Sequence, residues 1–249
     1  MASELRVEDE PPSMRSRIPI EGHGDGRWVR RCVRTLIGVL ASPKNTFARC
    51  PEPVDHGRTL RYLATLRLAP WLALVAWLAI AFFSTDGRPL TPSRSVHTLL
   101  DPALAEALSV WLVLMVPVGM PLLYFLCGIF AHVAVGLTGG ASRSVGASMR
   151  TLGYAMGPAL LGVALLDLVL YTVGIDGSLY LGIVLGLSLS FLWAAGFGLA
   201  RTHQISALRG FLVALLPTAL LTTAIVLRAV LQLDVVPGFP EPTSPYVIP

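Results

Sequence analysis

The chain has 249 residues, of which 54% are hydrophobic and only 14% charged, with a formal net charge of +4. Such a composition excludes an ordinary soluble domain, and three scattered cysteines exclude a disulfide framework. The basic excess follows the ends of apolar stretches and forms no groove interleaved with aromatics, which argues against nucleic acid as a partner.

Residues 1–26 are polar and of mixed charge, hold Pro11, Pro12 and Pro19, and contain no apolar core behind a basic start. They are expected to form a disordered cytoplasmic tail with no cleavable signal. Residues 27–67 are expected to carry cytoplasmic or interfacial amphipathic helices. Trp28, Val29, Cys32, Val33, Leu36, Ile37 and Leu40 recur at three- and four-residue spacing, with Arg27, Arg30, Arg31 and Arg34 opposite. This pattern predicts a helix that either lies in the inner membrane interface, with Trp28 at headgroup level and Arg30, Arg31 and Arg34 toward anionic lipid, or docks on the ends of the membrane helices. Ser42 can cap a short second helix that has Pro43 at its first position. A further helical stretch from about Gly57 leads through Arg61 and Arg67 into the first apolar run.

Five apolar stretches follow, predicted to span at about 66–85, 107–137, 152–173, 178–200 and 208–231 within a membrane domain of residues 68–233. Each reaches the roughly 20 residues a helix needs to cross about 30 Å of hydrocarbon. The second could in principle be two helices. A hairpin there would put Arg143 and Arg150 on the wrong side, so one long helix bent near Pro117 and Pro121 is expected. Of 19 basic residues, 16 fall on one side of such a five-span arrangement, and only Arg88, Arg94 and Arg228 on the other. Basic residues flanking spans stay cytoplasmic, which puts the N-terminus inside and the tail of residues 234–249 outside. The fold class is therefore all-α and polytopic.

Small residues at four-residue spacing mark the spans: Gly153 with Gly157, Gly182 with Gly186, and Gly196 with Ala200. Such pairs let helices approach closely in lipid, and the short connection at Gly174 to Gly177 predicts a hairpin whose glycine faces meet. Asp167 and Arg228 are ionisable residues at similar depth in two spans, and so candidates for an intramembrane polar pair; the alternatives are snorkelling of Arg228 and a transport site. His132 is expected to hydrogen-bond a neighbouring helix, and Arg150 and Tyr154 to anchor the interface. No catalytic triad, phosphate loop or metal-ligand spacing stands out, so neither an enzyme, a cofactor nor a metal site is expected.

Several of these residues also carry a resemblance. Pro43-Lys44-Asn45-Thr46-Phe47 precedes the first span, Gly139-Gly140 follows the second, and Arg150, Tyr154-Ala155 and Pro158 open the third. Gly198 and His203 close the fourth, and Arg209 and Pro217 begin the fifth. In these motifs, over about residues 36–232, the chain resembles the bacterial branch of the Yip family. The resemblance implies a five-helix membrane protein of the bacterial inner membrane. Eukaryotic members interact with Rab-type GTPases, but their acidic and aromatic signature near the first span is not evident here. Two functions are compatible with the reading: a non-enzymatic scaffold that organises membrane or recruits partners, as a homo-oligomer or with another membrane protein, and a small permease or accessory subunit of a transporter.

Overall fold

The computed structural model describes residues 18–21, 28–50, 54–84, 114–172 and 177–233. The described residues form helices, turns and short connections, with no strand among them. In chain order the helices are α1 (Trp28–Ala41), α2 (Pro43–Phe47), α3 (His56–Ser84), α4 (Val116–Leu137), α5 (Val145–Thr172), α6 (Gly177–His203) and α7 (Ala207–Leu233). Among the described residues four are long and apolar enough to cross a membrane: α4 throughout, α5 over Val145–Val169, α6 over Ser178–His203 and α7 over Ala207–Leu227. At about 1.5 Å per residue each exceeds the roughly 30 Å hydrocarbon core.

The 29-residue α3 starts well before the apolar run that it ends in. Arginine is a good helix former, so Arg58, Arg61 and Arg67 do not interrupt it, and the expected lead-in and first apolar stretch are one rod. The long helices alternate in direction. Residues 56, 59, 62 and 67 of α3 meet 146, 153, 157 and 167 of α5 in that order, so those two run parallel. His132 meets Ser148, Thr202 meets Thr151, and Arg209 meets Thr138, so α4 and α6 run antiparallel to α5 and α7.

The connections are made by short polar chemistry. Gly139, at φ +84°, lets α4 end in a left-handed residue, after which the Gly140 amide donates to the Val135 carbonyl. Ser144 caps α5 through the Ala147 amide. At the end of α6 Gln204 takes the same left-handed role at φ 57°, with Ile205 N–H returning to the Ala200 carbonyl. Pro43 sits in the first turn of α2 as expected, but Ser42 makes no side-chain capping bond.

Close packing depends on glycines, though not as the hairpin expectation had it. A Cβ at Gly153 would lie 2.5 Å from Thr59 Cγ2, and one at Gly157 would strike the Tyr62 ring, so that glycine face receives α3. Gly182 and Gly186 have nothing within 4 Å of a Cβ, whereas Gly196 receives Phe211 of α7. The α5–α6 contact is made elsewhere, with Leu187 over Gly162 and Thr151 against Gly198. Thr59 and the Tyr62 ring fill the groove that Gly153 and Gly157 leave on α5, so that glycine face is taken by α3 and does not meet α6.

Candidate functional site: the basic end of the bundle

Arg143, Arg150, Arg201 and Arg209 gather where α4 ends, α5 begins, α6 ends and α7 begins, and α1 and α2 lie against that end. The stripe of α1 divides in two. Cys32, Thr35 and Val39 are buried against the bundle, and Gly38 closely approaches Thr46 of α2. Val29 (63% exposed), Val33, Ile37 (57% exposed) and Leu40 form a second stripe that is exposed among the described residues, bordered by exposed Arg30 and Arg34. Trp28 turns toward α3: its indole donates to Thr65 Oγ1 at 2.8 Å, while Arg61 stacks 4.4 Å over its ring and Arg31 5.8 Å.

Ile18 to Glu21 lie in the region expected to be a disordered tail, yet they form a turn buried among α1, α3 and α5. The Ile20 amide donates to Thr35 Oγ1 at 3.2 Å, and Arg58 Nη1 to the Glu21 carbonyl at 2.7 Å. Glu21 Oε1 accepts from Tyr154 Oη at 2.9 Å and lies 3.7 Å from Arg150 Nη1. Its other oxygen is buried without a hydrogen-bond partner among the described residues. Burial pushes the Glu21 carboxyl above its ordinary range, against the pull of Arg150 and the Tyr154 hydrogen bond. Two buried isoleucines and an acid held by Tyr154 and Arg150 supply enough contacts to order a turn that composition alone assigns to disorder.

Arg150 and Tyr154 are 2% and 0% exposed, so they brace this turn inside the bundle and do not anchor at a lipid-facing surface. Beside them His132 Nδ1 lies 3.1 Å from Ser148 Oγ, which in turn is 2.8 Å from His203 Nε2. Ser142 donates to the His203 carbonyl, and the Thr151 and Thr202 hydroxyls share a hydrogen bond at 2.8 Å. Phe47 is buried against Gly198 and Thr151, Pro43 is buried nearby, and Gly140 packs under the Arg209 guanidinium. Pro158 is buried within α5. The motif residues Pro43, Phe47, Gly139, Gly140, Tyr154 and His203 thus converge on one end, as closures of connections and packing partners. Among the described residues no group of histidines, cysteines and acids could hold a metal ion. Burial pushes the Cys50 thiol up to about 12, which makes it a poor nucleophile.

Further along the bundle, Arg67 Nη2 donates to Asp167 Oδ2 at 2.7 Å, with both residues buried. Asp167 therefore has a partner on α3; Arg228 lies in α7, with its side chain outside the described residues. Measuring depth from the start of the apolar run leaves Arg67 at the membrane edge. Measured from His56, it stands three turns into the helix, and that offset was the available signal. Arg67 also borders an apolar cavity of about 290 Å³ lined by Met120, Leu160, Val163 and Leu221.

Apolar helices of spanning length, joined at an arginine-bearing end, define a multi-pass membrane protein. The chain belongs to the Yip1 domain family, whose model matches residues 37–228. No curated protein and no solved structure matches the chain.

Proposed function

We propose that this protein is a non-enzymatic scaffold of the bacterial inner membrane that organises the bilayer or recruits membrane partners. It has five spans, α3 serving as the first, with the N-terminus cytoplasmic and the C-terminus outside. The observation that carries this reading is the divided face of α1. One stripe holds the helix on the bundle, and the other presents Val29, Val33, Ile37 and Leu40 beside Arg30 and Arg34, the arrangement of a helix lying in an anionic interface. A helix fixed in that way transmits its insertion to the whole bundle, which suits a protein that acts on membrane shape or composition.

Chemical crosslinking and recovery of the tagged full chain from native membranes tests the reading. A stable homo-oligomer or membrane-protein partner that is lost in Val33→Ser/Ile37→Ser is expected; the same recovery from both forms overturns the role of α1. Reporters fused after Ser144 and after Pro249 should read as cytoplasmic and external.

A permease or transporter subunit is the second reading, favoured by the Arg67–Asp167 pair beside an apolar cavity. Solute flux into vesicles containing the purified chain, abolished in Arg67→Leu/Asp167→Asn, would establish it in place of the scaffold.

A further inference from the structure

A cavity of about 290 Å³ opens at the basic end between α2, the start of α5 and the end of α6. Three guanidinium-bearing residues line it, Arg143, Arg150 and Arg201, together with Thr202 and Gln204, and its described lining includes no carboxylate. Of the three, Arg150 lies 3.7 Å from the Glu21 carboxylate. A second cavity of about 380 Å³ shares Arg201 and Gln204, adds Lys44, and continues along Phe197, Ala200 and Ile205. The pair of cavities therefore joins a cationic chamber to an apolar wall at the level where the apolar spans of α6 and α7 end.

We propose that the Arg143–Arg150–Arg201 cavity binds a phosphate-ester anion, and that its source is the headgroup of an anionic phospholipid. Guanidinium forks match the oxygens of a phosphate two at a time, and several converging forks suit its charge. Ala147, also in the lining, belongs to the first turn of α5, whose positive end adds a favourable field. The apolar continuation past Phe197 gives the acyl portion of a lipid a path that a soluble phosphate would not use. Arg150 is already fixed by burial and by Glu21, so the chamber is partly organised before its ligand arrives. This site is separate from the exposed stripe of α1 and stands whether the protein is a scaffold or a transporter.

The full chain in a neutral detergent distinguishes the sources. Dioleoylphosphatidylglycerol added to the micelles should raise the melting temperature saturably, whereas dioleoylphosphatidylcholine, whose phosphate is balanced by its own choline cation so that the headgroup has no net charge, should do so far less. Arg143→Gln/Arg201→Gln should weaken the phosphatidylglycerol effect by about fivefold for each charge removed, corresponding to about 1 kcal/mol per arginine. Arg143→Lys/Arg201→Lys, which keeps the charge and loses the fork, should fall between that variant and the parent. Arg30→Gln/Arg34→Gln on α1 should bind as the parent does. An arginine-dependent shift with inorganic phosphate and none with phosphatidylglycerol would retain the anion site and overturn the lipid as its source. No shift with either probe, or an undiminished shift in Arg143→Gln/Arg201→Gln when that variant is folded by circular dichroism, overturns the site.

Discussion

Arg67 on α3 and Asp167 on α5 form a buried ion pair at 2.7 Å, joining two parallel helices well inside a bundle whose neighbouring side chains are largely apolar. Neither charge is easily left alone there, because the surroundings offer little to replace water. Arg67→Leu and Asp167→Asn should each destabilise the detergent-solubilised protein by about 3 kcal/mol, and the double variant should recover much of that loss. The cycle of Asp167→Asn with Arg228→Leu tests whether Arg228 also couples to Asp167. Melting temperatures of the two double-mutant cycles measure this, and strong coupling to Arg228 would make it the functional partner.

The Glu21 turn should respond to pH. Its carboxyl is raised above the ordinary value of 4.5 when docked, first by burial, with Arg150, Tyr154, Arg58 and Asp55 modifying the shift. A raised carboxyl favours the protonated form, so docking is strongest below the unfolded value and weakens as pH rises through the docked value. Hydrogen exchange at the Ile20 amide, corrected for intrinsic rate, should show greater protection near pH 5 than at pH 8. Glu21→Gln should flatten that dependence.

Two buried tyrosines should behave oppositely. Tyr154 donates to Glu21, whereas the Tyr62 hydroxyl is buried without a hydrogen-bond partner among the described residues. Removing an unsatisfied polar group can stabilise, and removing a satisfied one does not. Tyr62→Phe should raise stability by about 1 kcal/mol and Tyr154→Phe should lower it by about 1.5 kcal/mol, as read by thermal melting.

The glycines offer a geometric check. Gly157→Ala forces its methyl into the Tyr62 ring and should cost about 1–3 kcal/mol. Gly182→Ala meets nothing within 4 Å and should leave the melting temperature unchanged or slightly higher. Equal costs at the two positions would restore the glycine-faced hairpin.

The apolar runs predict α4 to α7 because length and composition govern membrane spans, and the spacing in residues 28–40 predicts α1. What periodicity cannot convey is which neighbour a face meets. The alternation of Val29 and Val33 with Cys32 and Leu36 reads as one stripe, yet the first two residues are exposed and the other two lie against the bundle. Asp167 is visible as an ionisable residue in a span, but its partner depends on the offset between α3 and α5, which is set by Tyr62 and Thr59 settling over Gly157 and Gly153. The Ile18–Glu21 turn leaves no periodic trace, since four residues cannot show a repeat. The arginine cavity joins Arg143 and Arg150 around the start of α5 to Arg201 at the end of α6, and each of these reads singly as a span-flanking charge.

Helix α5 touches α1, α3, α4 and α6, and 72% of its apolar span is buried, against 33% for α4 and 39% for α7. A protein meeting this bundle sideways in the bilayer would therefore encounter mainly α4, α7, the open face of α6 that carries Gly182 and Gly186, and exposed Leu72 and Ile80 of α3, while α5 offers little beyond Leu165 and Val169. Substitutions along α5 report on assembly of the bundle itself, and differences in partner choice between related chains belong on the outer helices.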